Sequence, residues 1–151
     1  MSQVYALVIR ADRSARVGRL GLLRFRGTYA YVGSAMGKTA RGRIQRHMDI
    51  AAGRRTGGFW HVDRLLRIGD LKAVVRAETT ERRECAVASR MDRVAAEAVP
   101  RFGSSDCRCK SHLFRLDADD SIGAVSRAMN ELGLRPQATV VRGPATRRAF
   151  K

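Results

Sequence analysis

Hydrophobic residues occupy both faces of the first segment of regular structure, residues 4–9. A strand that is apolar on both faces is typical of the centre of a sheet that is covered on both sides. A polar turn at residues 12–14 should end this strand. Two short strands, 22–25 and 29–32, should follow on either side of Gly27. The start of the chain therefore predicts a group of neighbouring strands.

Spacings of three and four between apolar residues predict helices further along the chain. The first helix should cover residues 38–52, and the glycine-rich segment after residue 52 should end it. Its inward face should consist of Ile44, Met48 and Ala51. A short helix should begin at Val62, and a longer one near Thr80, whose hydroxyl makes it a good N-cap.

The last predicted helix has clear signals at both ends. Asp120 or Ser121 caps its start, and Gly133 ends it. Strands are expected at residues 71–77 and 112–116, between the helices. This order of strands and helices indicates a small mixed α/β domain with a helix near its C-terminus.

Positive charge is the strongest compositional signal. The chain carries 30 Lys and Arg residues against 14 Asp and Glu residues, a net charge of +16. Residues 1–60 hold 12 of the basic residues and only Asp12 and Asp49 as acids, so this segment has a charge of 12 minus 2, or +10. Arginine donates paired hydrogen bonds to phosphate. We therefore expect a nucleic-acid partner; the alternatives are solubility, an arginine-rich coding bias and an anionic membrane surface.

The apolar stretches are too short to cross a bilayer. The first residues lack the basic start and the small-residue cleavage site of a secretory signal, which predicts a cytoplasmic protein, free or on the nucleoid. The three cysteines are an odd number, so a disulfide framework is not expected.

Residues 31–35, Tyr-Val-Gly-Ser-Ala, and 43–47, Arg-Ile-Gln-Arg-His, combine residue types that suit phosphodiester hydrolysis. That reaction needs an activated water, neutralisation of the transition-state charge and a metal near the attacking or leaving oxygen. A tyrosine, an arginine and a carboxylate can meet these needs with one Mg²⁺. Arg43 and His47 are four residues apart, so on a helix they share one face.

These two segments resemble the GIY-YIG nuclease motif, in which a strand ends in Tyr-(Ile/Val)-Gly and the next helix carries an essential arginine. The first half of that motif is Gly-Ile-Tyr. The matching residues here are Gln3-Val4-Tyr5, which keep the tyrosine and lose the glycine. The resemblance implies an α+β fold with a small, mainly antiparallel sheet flanked by helices. It also implies a metal-binding glutamate on a later helix, where this chain has Glu84.

Carried over to this chain, the resemblance implies a role for each matching residue. Tyr5 and Tyr31 would lie near the water or the metal. Arg43 would stabilise the transition state, His47 would assist with protons or phosphate, and Glu84 would bind Mg²⁺ or Mn²⁺. Nucleic-acid contacts are expected from Gly33, Ser34, Lys38, Arg41 and Arg46. The structural alternatives are core tyrosines, a salt-bridge glutamate and a histidine on a solvated helix face.

Two further motifs resemble one branch of that family, in which the module stands alone or is fused to a base-excision DNA glycosylase. They are Trp60-His-Val-Asp63 and Phe102-Gly-Ser-Ser-Asp-Cys-Arg-Cys-Lys-Ser-His112-Leu-Phe114. The resemblance implies a nuclease-like domain at 1–116. Residues 117–151 lie outside the resemblance and should form a helical extension and basic tail that packs on the same domain or trails from it. A DNA glycosylase is an expected partner. The residues expected to border the site are His61, Asp63, Ser105 and Asp106.

Two local patterns leave alternatives open. His61 and Asp63 would point the same way on a strand but diverge on a helix. Cys107, Cys109 and His112 are zinc-ligand types, yet a structural zinc site needs four ligands and usually has Cys-x-x-Cys spacing. Because only Cys85 remains as a fourth ligand, a thiol pair that stabilises the loop is preferred to zinc.

The leading hypothesis from sequence is a Mg²⁺-dependent endonuclease that cuts DNA, with a role in repair. The alternative is a non-catalytic module that binds DNA or RNA on the same scaffold. DNA is favoured over RNA as the partner, and the oligomeric state is left open.

Overall fold

The structure, a computed structural model, describes residues 2–37, 39–57, 60–104 and 107–141, apart from the side chains of residues 39–41. Within these residues, six strands form one open antiparallel sheet, and four helices pack on it. The α+β class predicted from the sequence is confirmed.

The elements follow the predicted order, with two additional strands. The strands are β1 (Ser2–Arg16), β2 (Leu22–Met36), β3 (Asp70–Thr79), β4 (Glu97–Ala98), β5 (Leu113–Leu116) and β6 (Gln137–Val140). The helices are α1 (Thr39–Ala51), α2 (His61–Ile68), α3 (Glu84–Val94) and α4 (Ser121–Glu131). The strand order across the sheet is β4-β5-β2-β1-β3-β6. β1 is therefore central, as its two apolar faces predicted.

The core has one layer of side chains on each face of the sheet. Tyr5 and Leu7 of β1 point into the layer that α1 and α2 cover, where they meet Leu65. Their neighbours Val4 and Ala6 point into the opposite layer, together with residues of α3 and α4. Side chains alternate between the two faces of a strand, so β1 contributes to both layers.

The predicted turn at residues 12–14 is wrong, because β1 and β2 form one long hairpin that pairs out to Arg16 and Leu22. The polar residues at 12–14 are exposed within this hairpin, while Ala15 is buried. Gly27 does not separate two strands either. It lies within β2 opposite Ala11, with a φ of 120° that favours glycine.

The start of the third helix also differs from the prediction. α3 begins at Glu84 rather than near Thr80. The Thr79 hydroxyl donates to the carbonyl of Glu81 at 2.6 Å, which holds the preceding residues in a turn. The N-cap prediction for the last helix is confirmed, since the Asp120 carboxylate accepts the Gly123 amide at 2.9 Å.

The segment after residue 116 shares the core of the preceding residues. Val125 and Met129 of α4 are buried in the same layer as α3, and β6 pairs with β3. The predicted tail from residue 142 lies outside the described residues. No helix in the described part of the chain is long and apolar enough to cross a membrane.

Candidate active site

The predicted site residues meet at the end of the sheet where β1 begins and where β2 and β3 end. Ser2 pairs there with both Met36 and Thr79. The chain enters α1 after β2 and α3 after β3, so both helices start from this end of the sheet. Arg43 of α1 and Glu84 of α3 are thereby brought towards the same region.

Tyr5 and Gly33 face each other across the first two strands. A Cβ atom added to Gly33 would lie 2.7 Å from the Tyr5 hydroxyl oxygen, closer than carbon and oxygen can pack. The Tyr5 ring thus lies directly on the β2 backbone, and only glycine leaves room for it. Gly33 was expected to contact nucleic acid; in this structure the Tyr5 ring fills the space above it.

Tyr5 and His47 form a buried pair, with 2.7 Å between the Tyr5 hydroxyl oxygen and His47 Nε2. Burial, reinforced by the nearby Tyr31, raises the pKa of Tyr5 well above its usual range. Burial also lowers the pKa of His47 from 6.5 to about 4. Nε2 of a neutral imidazole can accept a hydrogen bond, so we infer that the Tyr5 hydroxyl is the donor in this pair.

His47 is enclosed by aromatic rings and is 0% exposed, so it does not lie on a solvated helix face. Its ring centroid is 6.3 Å from that of Tyr31 and 5.7 Å from that of Trp60. Among the described residues its Nδ1 has no hydrogen-bond partner. In this conformation His47 holds Tyr5 in place and does not itself reach the surface.

The buried His47 should make folding stability depend on pH. Its folded pKa of about 4 is below its ordinary value of 6.5, so the unfolded chain takes up the proton first as the pH falls. The contribution of the neutral His47 ring to the free energy of unfolding is fully present above pH 6.5 and is lost as the pH falls towards 4. The loss is on the order of 3 kcal/mol. Urea unfolding of wild type and His47→Gln at several pH values measures this; the variant should give the flatter profile, and parallel profiles would contradict the assignment.

Arg43 is fixed by two contacts at the end of β2. Its guanidinium donates to the Ser34 carbonyl at 2.6 Å, and it lies over the Trp60 ring, 4.7 Å from the ring centroid. A cation over an aromatic face is attracted to it. These contacts orient a half-buried positive charge beside the Tyr5–His47 pair.

Arg46, which was expected to contact nucleic acid, is instead bound to Asp63. Two of its nitrogens donate to the two Asp63 carboxylate oxygens at 2.9 and 3.0 Å. The Asp63 carboxylate also accepts the Trp60 amide at 3.1 Å, at the start of α2. This buried ion pair connects α1 to α2, and it raises the pKa of Arg46. Arg46 is therefore a structural partner of Asp63 in this conformation.

Glu84 lies in the first turn of α3, and its side chain is 21% exposed. Its nearest ionic partner is Arg82, at 3.8 Å. The charges of Arg43 and Glu84 both act on the pKa of Tyr5, the arginine lowering it and the glutamate raising it. Because such effects require proximity, Tyr5, Arg43 and Glu84 belong to one cluster.

Tyr31 forms the wall of this cluster on the side of the loop before β5. A Cβ atom added to Gly103 would lie 2.9 Å from the Tyr31 ring, so the loop backbone packs against that ring. The Gly103 amide donates to His61 Nδ1 at 3.1 Å. His61 and Asp63 lie on a helix, and they contact different partners, as the helical alternative predicted.

A family model described as a domain of unknown function, DUF123, matches residues 4–134. The chain belongs to the DUF123 family. No curated protein and no solved structure matches it. The DUF123 match extends beyond residue 116 and includes α4.

Part of the predicted DUF123 site lies outside what the structure describes. This applies to Lys38, Ser105, Asp106 and the side chain of Arg41. Their expected contacts with nucleic acid, or with the border of the site, stay predictions.

A surface cavity of about 820 Å³ lies beside the cluster, between α1 and the β3–β6 edge of the sheet. Gln3 and Ile44 are among its walls, whereas Tyr5, Tyr31 and Glu84 are not. Gln3 stands where the GIY-YIG motif has glycine, and its side-chain oxygen has no partner among the described residues. The cavity therefore lies next to the cluster, of which Arg43 and Glu84 are the partly exposed members.

Proposed function

We propose that this DUF123 protein is a metal-dependent endonuclease of the GIY-YIG type that hydrolyses phosphodiester bonds in DNA. The observation that carries the proposal is that the charges of Arg43 and Glu84 both act on the phenol of Tyr5, with Tyr31 in the same core layer as Tyr5. These residues come from four elements, β1, β2, α1 and α3, and they combine a cation, a carboxylate and two phenols.

Arg43 is suited to stabilise the transition state of phosphodiester hydrolysis. Its contacts with the Ser34 carbonyl and the Trp60 ring orient the guanidinium before substrate arrives. A preorganised positive charge stabilises a developing negative charge without further reorganisation. The other guanidinium over Trp60, that of Arg46, is held by Asp63, so Arg43 is the better placed of the two to bind a phosphate oxygen.

Glu84 fits the role of a magnesium ligand. Mg²⁺ prefers oxygen ligands and commonly uses only one or two carboxylates, with water and substrate phosphate completing its coordination. A partly exposed carboxylate whose charge acts on the Tyr5 phenol satisfies that preference. When bound, the ion would neutralise charge on the phosphate and on the leaving oxygen.

The two tyrosines differ in what they can contribute. Tyr5 is 1% exposed and Tyr31 is 8% exposed. Because its pKa is raised, Tyr5 keeps its proton and donates it to His47 in a hydrogen bond, so only the phenol oxygen is left to accept. Tyr31 is the phenol nearer the surface, so we assign to it the orientation of the attacking water.

The distal part of the β1–β2 hairpin supports a polyanionic partner. β3 pairs with β1 only as far as Arg10, and β5 pairs with β2 from Thr28, so residues 11–27 extend beyond the neighbouring strands. One face of this ribbon exposes Arg16, Arg24 and Arg26. Arginines along an extended surface match the regular spacing of phosphates in a nucleic acid.

A non-catalytic DNA- or RNA-binding module is the second candidate function. It is favoured by Gln3 in the motif position of glycine and by the deep burial of Tyr5. Under this alternative the basic surface binds nucleic acid, and Arg43 acts only as one phosphate contact among many.

Single-turnover cleavage of labelled branched and nicked DNA, with Mg²⁺ or with EDTA, tests the proposal. Wild type should cut with Mg²⁺ only, and Arg43→Ala should be slower by about 100- to 1000-fold, the usual effect of losing one transition-state donor. Arg127→Ala is the matched control, since it removes an exposed arginine from α4 on the opposite face of the sheet.

The binding alternative predicts a different pattern. Neither wild type nor the variants would cut. Arg43→Ala and Arg127→Ala would differ from wild type only in affinity, and each would reduce the slope of log affinity against log salt by about one. Equal cleavage by wild type and both variants would also contradict the proposal, because it would place the activity elsewhere.

A further inference from the structure

Three cysteines and one histidine meet on the side of the sheet that carries α3. Cys85 lies in the first turn of α3, Cys107 and Cys109 lie in the loop before β5, and His112 directly precedes β5. Their four potential ligand atoms all lie within 4.8 Å of one another. All three thiols are free. From sequence, a zinc site was not preferred because only the distant Cys85 remained as a fourth ligand. In the folded chain Cys85 lies beside the other three residues.

The spacing of these atoms fits a tetrahedral zinc site. With Zn–S bonds of about 2.3 Å and a Zn–N bond of about 2.0 Å, sulfur and nitrogen at two corners of a tetrahedron lie about 3.5 Å apart. The distance between Cys107 Sγ and His112 Nε2 is 3.5 Å. Soft thiolate donors together with one imidazole favour zinc over the oxygen-seeking Mg²⁺.

A hydrogen bond on the side of the ring away from the cysteines orients His112, as is usual for histidines in zinc sites. His112 is buried, and its Nδ1 lies 3.1 Å from the Val32 carbonyl oxygen. A neutral ring donates its Nδ1 proton to that carbonyl, so the lone pair of Nε2 points towards the cysteines. Backbone hydrogen bonds to Phe102 at 2.9 Å and to Val32 at 2.8 Å hold the residue on both sides.

We propose that Cys85, Cys107, Cys109 and His112 bind one zinc ion in a closed structural site. The four protein ligands leave no open position for substrate, so the ion serves the fold and not the chemistry. It would connect the start of α3, which carries Glu84, to the loop whose Gly103 packs on Tyr31. This site is separate from the proposed magnesium site and does not depend on nuclease activity.

Metal analysis of the purified full-length protein tests this proposal directly. We expect one zinc per chain, and a tetrahedral thiolate spectrum when Co²⁺ replaces zinc. X-ray absorption should show three sulfur neighbours at about 2.3 Å and one nitrogen at about 2.0 Å. Removal of the metal with a chelator should lower the unfolding midpoint, and addition of Zn²⁺ should restore it.

Two pairs of variants separate ligands from neighbours. Cys85→Ala should reduce the zinc content towards zero, whereas Cys85→His keeps a ligand and should retain most of it. His112→Gln should lose zinc, and His61→Gln, which lies outside the cluster, should not. The proposal is overturned if wild-type protein supplied with Zn²⁺ binds none, if it contains iron and sulfide instead, or if two of the cysteines form a disulfide in the folded protein.

Discussion

Asp63→Ala should lower the free energy of unfolding by about 3 kcal/mol, since breaking a buried ion pair leaves an uncompensated charge. The Asp63 carboxylate is 0% exposed and accepts hydrogen bonds from Arg46 and from the Trp60 amide. Without it, the Arg46 guanidinium, only 20% exposed, loses its buried partner. Chemical denaturation measures the loss, and the melting temperature should fall by roughly 6–12 °C.

Asp49→Ala provides the control for charge alone. Asp49 lies on α1 and accepts hydrogen bonds from Arg54 and Gln45, but this pair is exposed to water. Exposed ion pairs contribute little to stability, so Asp49→Ala should shift the midpoint far less than Asp63→Ala. Equal losses in the two variants would show that the Arg46–Asp63 pair has no special role in joining α1 to α2.

Glu84→Gln should reduce Mg²⁺-dependent cleavage by at least about 100-fold, because a catalytic metal ion supplies several kcal/mol of transition-state stabilisation. The substitution keeps the size of the side chain and removes only its negative charge. DNA affinity should stay the same or rise, since one repulsive charge is lost. Single-turnover rates and a binding titration, measured on the same DNA, separate the two effects.

Glu81→Gln is the matched control, because Glu81 is an exposed acid just before the same helix. It should cut at the wild-type rate. If Glu84→Gln and Glu81→Gln both cut as wild type does, Glu84 is only the surface partner of Arg82, and the metal-ligand assignment is wrong.

Much of the fold could be predicted because its core elements have strong periodic patterns. The two apolar faces of β1 and the capped α4 are examples. The polar stretch at residues 12–14 was misread as a turn, because an exposed hairpin face and a turn have the same composition. β4 and β6 were missed because β4 has only two residues and β6 is exposed throughout. Such edge strands depend on pairing with a neighbour and have no apolar pattern of their own.

The candidate site was less predictable than the fold, since its contacts join distant parts of the chain. The family motif singled out Tyr5 and His47, but nothing in sequence shows that they pair with each other across 42 residues. The partner of Asp63 is also set by tertiary structure. From sequence, Asp63 could only be expected to point away from His61 on a helix. Its ion pair with Arg46 could not be predicted.

The cysteine cluster could not be predicted for a similar reason. The Cys-x-Cys-x-x-His segment holds three of its side chains within six residues, whereas Cys85 comes from a separate helix. Local spacing cannot reveal such a fourth ligand. Only the packing of α3 against the β5 side of the sheet brings it within reach.

The location of a bound divalent ion tests the central assignment most directly. Mn²⁺ can replace Mg²⁺ at carboxylate sites and broadens nearby NMR signals, and it has little affinity for thiolate ligands. When Mn²⁺ is added to the zinc-loaded protein, the amide signals of Glu84, Tyr5 and Tyr31 should broaden, and Glu84→Gln should abolish this while Glu81→Gln leaves it intact. Broadening that is confined to other acids, or that survives in Glu84→Gln, would contradict a metal-dependent nuclease site at this end of the sheet.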